Sequence, residues 1–439
     1  MDAPITPTAP SIGLALSGGG VRATLFALGA LIAIVDSGQN RRVSEITSVS
    51  GGSITNAFVA QRCDFSNVGP AEFDQIAGSL IRRVTTGLVP RRLVAALYGL
   101  SGLLIASVVA LSWPLSLAWP FDLLLCFCYG LALLLRGIVL ARLLGAKLFS
   151  DAALPHTLRQ QQGQVNHVFC TTDLNSTLPV YLCTRKPFFF SPVWGSARSD
   201  QAGDLDFTTA VRASAAFPGG IPPRRLRLRK LDVRPGAQAW TARLGRLRFR
   251  DVSPDEVRAL YLSDGGVWNN LGTDWYLPET RAQVVTSAAF GPESSALIVV
   301  DATPPPPATE NLWYLRFPWL AELLTIARVL NVLYVSTVVT RIAELERKRQ
   351  EASDSTGHDR VVRMVDPLRV ARNAAVCWKG RDTWSGRRGW FGRTGSLTER
   401  LVHPAAGVER EGSHHSVPDS PGDRLPTGPA RISGHLVSL

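Results

Sequence analysis

Apolar and polar positions divide the chain into stretches of different period. Residues 11–17 (SIGLALS) are a short, nearly continuous apolar run of the kind a buried strand presents. Gly18, Gly19 and Gly20 follow, and apolar residues then return at helical spacing from about Arg22 to Val35. Residues 43–50 (VSEITSVS) read as a second strand running straight into Gly51, Gly52 and another helix. A strand, a glycine turn and a helix, met twice in succession, predict an α/β sheet that is parallel at least in part. Residues 165–171, 178–184 and 296–301 read as further strands, and 319–347 as an amphipathic helix carrying Glu322, Arg328, Arg341 and Glu344. Residues 224–230 (RRLRLRK) and 243–250 (RLGRLRFR) alternate basic and apolar, which predicts an antiparallel ribbon with one cationic face.

One stretch has no period because it has almost no polar positions. From Leu93 to Leu135 the only charge is Asp122. A transmembrane helix needs about 20 apolar residues, so the stretch holds two, at 93–112 and 121–140, with a re-entrant hairpin or a buried helical hairpin as the alternatives. The two spans are broken near Trp113, Pro114, Trp119 and Pro120, residues suited to a turn at a bilayer interface. Arg82, Arg83, Arg91 and Arg92 precede the hairpin, Arg136, Arg142 and Lys147 follow it, and the turn has no basic residue. The positive-inside rule therefore predicts a two-span membrane protein with both flanks cytoplasmic. The first eleven residues lack the basic and apolar regions of a signal peptide.

The 439-residue chain divides accordingly. Residues 1–90 hold the two glycine turns, 91–147 the hairpin, and 148–350 the remaining strands, the ribbon and the amphipathic helix. Residues 351–439 lose all period and read as a disordered tail. The net charge of +12 is compatible with anionic headgroups or nucleic acid. The hairpin favours the first, and the ribbon's apolar positions are mostly leucines rather than stacking aromatics. The six cysteines form no CxxC pair or Cys/His cluster, which fits a reducing compartment and no structural zinc.

Three places carry candidate chemistry. Ser48-Val49-Ser50-Gly51-Gly52 has the form S-x-S-x-G at a strand-to-helix junction. This is a nucleophile elbow with serine in place of the first glycine, or else a glycine turn with incidental serines. Gly18 to Gly20 can aim backbone N–H groups at an oxyanion. Gly18-x-Gly20-x-x-Ala23 also fits a loose dinucleotide fingerprint, but the next strand ends in Ser50 rather than an acid. Asp264, followed by Gly265 and Gly266, is either a turn residue or a carboxylate held against a serine. No histidine fits the order Ser–Asp–His: His358, His403, His414, His415 and His435 lie in the tail, and His167 sits in a strand and reads as structural. A hydrolase here needs the carboxylate itself as base.

Together these residues resemble the patatin-like phospholipase family, as a bacterial-type, membrane-anchored member. Four blocks occur in order: Ser17 to Arg22 (S-G-G-G-x-R), Val49 to Ser53 (V-S-G-G-S), Ala210 to Pro218 (A-V-R-A-S-A-A-F-P, preceded by Thr172 to Asn175), and Asp264 to Gly272 (D-G-G-x-x-x-N-L-G). The resemblance implies a three-layer α/β/α sandwich, here with an inserted two-helix transmembrane hairpin. It implies hydrolysis of lipid acyl esters without metal or other cofactor, with Ser50 as nucleophile and Asp264 as base. Gly18, Gly19 and Gly20 would bind the oxyanion, with Arg22 as buttress. Asp173 and the 210–218 block would be scaffold. The chain departs from the family at Ser48, in the hairpin and in the tail. Ser50 and Asp264 flank the hairpin, so they share one side of a membrane only if an even number of spans separates them. Acyl transfer to a lysolipid or alcohol, and a non-catalytic scaffold of the same fold, are the alternatives.

Overall fold

The computed structural model describes residues 11–86, 142–217, 221–233, 259–277, 296–303, 336–343, 361–365 and 436–438, with single residues and pairs elsewhere. The first strand, β1 (Ile12–Leu16), is buried at all five positions. Such an unbroken apolar run suits a strand covered on both faces. Helix α1 (Gly20–Asp36) returns to β2 (Val43–Ser48), which leads into α2 (Gly51–Arg62). Helix α3 (Pro70–Thr85) has Pro70 in its first turn, Glu72 near its start and Arg82 and Arg83 at its end. That order matches the helix dipole. Its buried Phe73, Ile76, Ala77, Leu80 and Val84 form a stripe at i, i+3, i+4 spacing that the sequence reading above overlooked.

The remaining strands are β3 (Asn166–Asp173), β4 (Pro179–Cys183), β5 (Phe189–Ser191), β6 (Gly195–Ala197), β7 (Arg224–Leu226), β8 (Leu260–Asp264), β9 (Ala296–Val300), β10 (Val361–Val365) and β11 (Leu436–Ser438). They form one mixed sheet in the order β11-β10-β9-β1-β2-β3-β4-β5-β6. Pairing is parallel from β10 through β3 and antiparallel from β3 to β6. Alternate residues of β1 enter different cores. Leu14 and Leu16 join a large cluster with residues of α1, α2 and α3. Ala15 faces the other way, with Leu271, Leu297, Val299 and Val338. Val338 lies on helix 336–343, within the predicted 319–347 segment. The fold is thus α/β with both sheet faces covered, as expected.

One feature of the sheet positions the site. The first half of β3 pairs with β2, ending at Ser48 opposite Phe169. Its second half pairs with β8, with Thr171 opposite Asp264. β2 runs parallel to β3 and β8 antiparallel, so two strands approach from opposite directions and end within two residues of each other over Cys170.

The structure alters two expectations. Arg224–Leu226 pairs with Leu260–Leu262, a partner the sequence did not predict. Main-chain hydrogen bonds go to a neighbour that supplies a matching edge, and β8 does so. Residues 228–230 form a 3₁₀ turn rather than a strand, and 243–250 lie outside the described residues. Two pieces of the segment read as disordered are strands, β10 beside β9 and β11 beside β10. A strand laid against a sheet already formed borrows hydrogen bonds from its neighbour and needs no strong pattern of its own. The predicted spans 93–112 and 121–140 lie almost wholly outside the described residues, among which no helix is long and apolar enough to cross a membrane.

Candidate active site

Ser50 ends the turn after β2 and caps α2. Its backbone sits at φ 49° and ψ −113°, a region costing a non-glycine residue about 1–3 kcal/mol. This is the strained geometry of a nucleophile elbow. What holds it is close packing of the next two residues. A Cβ on Gly51 would lie 2.0 Å from the carbonyl oxygen of Gly20, and one on Gly52 would lie 2.7 Å from that of Leu16. The elbow is therefore pressed directly onto the first glycine turn. Thr24 Oγ1 ties the two together by donating to the Gly51 carbonyl at 2.9 Å.

Within the first turn the three glycines differ. Gly18 is buried, and its N–H donates to the Asn270 carbonyl at 2.9 Å. Gly19 and Gly20 are exposed, with φ 141° and 64°. Neither N–H has a hydrogen-bond partner among the described residues. Of the three predicted oxyanion donors, Gly18 is thus engaged in bracing the turn, because the block after Asp264 folds back over it. Arg22 lies beside Gly19, with Nη2 3.4 Å from where a Gly19 Cβ would be. Burial pushes the Asp301 carboxyl up, while the Thr303 side chain and N–H and the Arg22 charge oppose that. Arg22 and Asp301 flank the turn, and Ala302 N donates to Ser17 Oγ at 2.7 Å.

Asp264 is 1% exposed at the end of β8. Its Oδ1 accepts from Gly266 N at 2.7 Å, and the Ser50 side chain lies close enough to favour its ionised form. Burial pushes its carboxyl up to about 6, against the pull of the Gly266 N–H and Ser50. A carboxylate near that value is a far better base than a solvated one. The two residues the sequence singled out are brought together over β3.

The block 210–218, read from the sequence as scaffold, does the joining. Helix Phe207–Ser214 delivers Ser214, whose carbonyl and Oγ accept from Ser50 N at 3.2 and 3.1 Å. Two residues on, the Ala216 carbonyl accepts from Asp264 N at 3.2 Å and from Ser263 Oγ at 3.1 Å. One segment therefore sets both members of the pair. The small residues of A-S-A-A were the available signal, since such close approach leaves no room for larger side chains.

Ser48, at the usual glycine position, has a role of its own. Its Oγ donates to the Val168 carbonyl at 3.1 Å and accepts from Ser53 Oγ at 3.0 Å and Asn56 Nδ2 at 2.9 Å. Ser53 in turn lies 2.8 Å from Ser214 Oγ. A buried hydroxyl chain thus runs under the elbow. It ends at His167, whose Nδ1 is 2.7 Å from Asn56 Oδ1. Burial pushes this imidazole down to about 3, so it is neutral and structural, as read. Asp173 is structural too, accepting from Ser176, Trp194 and Tyr261 in a turn.

The profile of the patatin-like phospholipase family matches residues 14–274. No curated protein matches the chain. Among solved structures it is similar to human GIVD cytosolic phospholipase A2, at 14% identity and TM-score 0.35, covering 67% of this chain and 43% of that one. VipD from Legionella pneumophila gives 12% identity and TM-score 0.29 over 71% of this chain and 52% of that one. ExoU of Pseudomonas aeruginosa, in complex with SpcU, gives 20% and 0.22 over 49% and 40%. The chain thus spans about half or less of each. With the profile covering more than half of the chain, from the first strand to the loop after Asp264, the chain belongs to the patatin-like phospholipase family.

Proposed function

We propose that this chain is a membrane-anchored serine lipid acyl hydrolase, of phospholipase or lysophospholipase type, using a Ser50–Asp264 dyad. The observation that carries the reading is a strained Ser50 beside a buried carboxyl that burial pushes up to about 6. Asp264 takes the Ser50 proton as Oγ attacks the ester carbonyl. The oxyanion then lies against the Gly19 and Gly20 N–H groups, beside Arg22. Collapse expels the alcohol, which takes the proton back from Asp264 and leaves an acyl-serine. Water, deprotonated by the same carboxylate, releases the fatty acid and restores Ser50. The hairpin holds this site at the cytoplasmic face of a membrane. In support, Leu103, Phe127 and Leu135 within it are helical and exposed, the arrangement of lipid-facing side chains.

Labelling by a fluorescent fluorophosphonate tests this in membranes. Wild type is expected to label and Ser50→Ala not at all. Asp264→Asn should label at least about a hundredfold more slowly. Because the carboxylate is the active form, the wild-type rate should rise with pH and level off above about 6. A folded wild type that fails to label would overturn the reading in favour of a non-catalytic scaffold. Transacylated product on adding a lysolipid would redirect it to acyl transfer.

A further inference from the structure

We propose that Arg142, Arg212 and Arg224 form a site for a phosphate or phosphodiester oxyanion at the foot of the hairpin. Three segments converge there. Helix Phe207–Ser214 supplies Arg212, with Thr208 and Thr209 one turn earlier on neighbouring positions. Gly145 of helix 142–148 packs on Thr208 so closely that a Cβ there would lie 2.6 Å from Thr208 Cγ2. That contact brings in Arg142, one turn earlier on the same helix. Thr209 Oγ1 accepts from Arg224 Nη2 at 3.4 Å, which brings in strand β7.

Among the described residues, one carboxylate is seen to act on this group of three cations. Asp206, the carboxylate that acts on Arg212, also caps its helix, accepting from Thr209 N at 2.5 Å and Thr209 Oγ1 at 3.0 Å. The Nε atoms of Arg212 and Arg224 are buried and have no hydrogen-bond partner among the described residues. A buried donor left unmade is destabilising, and like charges add repulsion. Burial first, then Arg224 and Arg142 against the pull of Asp206, push the Arg212 guanidinium down. An incoming tetrahedral oxyanion would satisfy both Nε–H groups and the excess charge, in the forked geometry that arginine offers phosphate. Arg142 is exposed and begins two residues after the predicted second span, at the depth of a lipid headgroup. The site itself does not depend on the dyad. Only the lipid source of the oxyanion rests on the membrane-anchored reading.

The test uses the full chain in detergent, in a Ser50→Ala background so that bound lipid is not consumed. Native mass spectrometry compares retention of phosphatidylglycerol with phosphatidylcholine of the same chains. A parallel melt titrates inorganic phosphate against chloride at equal ionic strength. The parent chain is expected to retain phosphatidylglycerol preferentially, and Arg142→Gln/Arg224→Gln to lose about tenfold of that retention. Arg225→Gln is the control: its side chain points to the opposite face of β7, and it should stay within about twofold of the parent. A saturable phosphate-induced rise in Tm that also displaces the lipid would support the site with a free phosphate as ligand. Lipid retention without a phosphate response would support it with a headgroup as ligand. Should the double variant not fold, Arg142→Gln alone, on an exposed helix position, must still lower retention. Equal retention in parent and variant, an equal loss in Arg225→Gln, or no binding by the parent would each sink the proposal. Fluorophosphonate labelling of Ser50 in the otherwise wild-type chain reports on the dyad separately.

Discussion

The ends of β2 and β8 meet over the same stretch of β3, yet each stores its activation energy differently. The β2 end stores it in the backbone. Ser50 is forced to positive φ, and Gly51 and Gly52 lie where a single added carbon would strike main-chain oxygens. The β8 end stores it as charge. Asp264 is unstrained but almost fully buried, and burial raises its carboxyl to about 6. The backbone device centres on three consecutive residues pressed against the main chain of Gly20 and Leu16. The charge device depends on everything packed around it, including Ala216, which lies 48 residues earlier, and Ser50 itself. A nucleophile needs a fixed direction, which strain against close packing supplies. A base needs a poised proton affinity, which only an environment can give.

Substitutions can break this contrast in order of expected effect. Gly51→Ala should be the most damaging, because the clash is with the Gly20 carbonyl rather than a flexible side chain. A loss of about 3 kcal/mol or more in stability is expected, together with all labelling, read by chemical denaturation and fluorophosphonate gels. Gly20→Ala meets nothing within 4 Å but must adopt φ 64°. It should cost only about 1 kcal/mol in stability. Misdirecting an oxyanion donor should nevertheless lower kcat about a hundredfold, with KM little changed. If Gly20→Ala kept full kcat, the first turn would not be the oxyanion site.

The charge device predicts the opposite sign for stability. Asp264 has a folded pKa raised from 3.8 to about 6, so the folded state binds the extra proton. Its stabilising effect is complete below about 4, is lost as pH rises through 6, and leaves a buried carboxylate above that. Asp264→Asn should therefore raise stability by up to about 3 kcal/mol at pH 7.5 and by almost nothing at pH 4, while abolishing activity. Melting curves of both proteins across that range check the sign. A variant less stable than wild type at pH 7.5 would mean that the carboxylate's bond to Gly266 outweighs its desolvation.

What the sequence determined by itself was whatever is written in consecutive residues. The apolar run at 12–16, the glycines after it, the elbow at 48–52 and the pairing of Asp264 with two glycines all follow from local sterics and period, and the structure has them where the pattern places them. What only the tertiary structure decided joins residues far apart. The Ser50 N–H bonds to Ser214, 164 positions away, the Gly18 N–H turns from an oxyanion to Asn270, and the strand of Arg224 pairs with β8 while its side chain reaches Thr209. Ser214 and Asn270 lie in recognisable blocks, but no period or motif says which group each one meets. Each contact arises because a buried polar group must find a partner, and the nearest partner in space is set by how the sheet folds, not by how the residues are ordered.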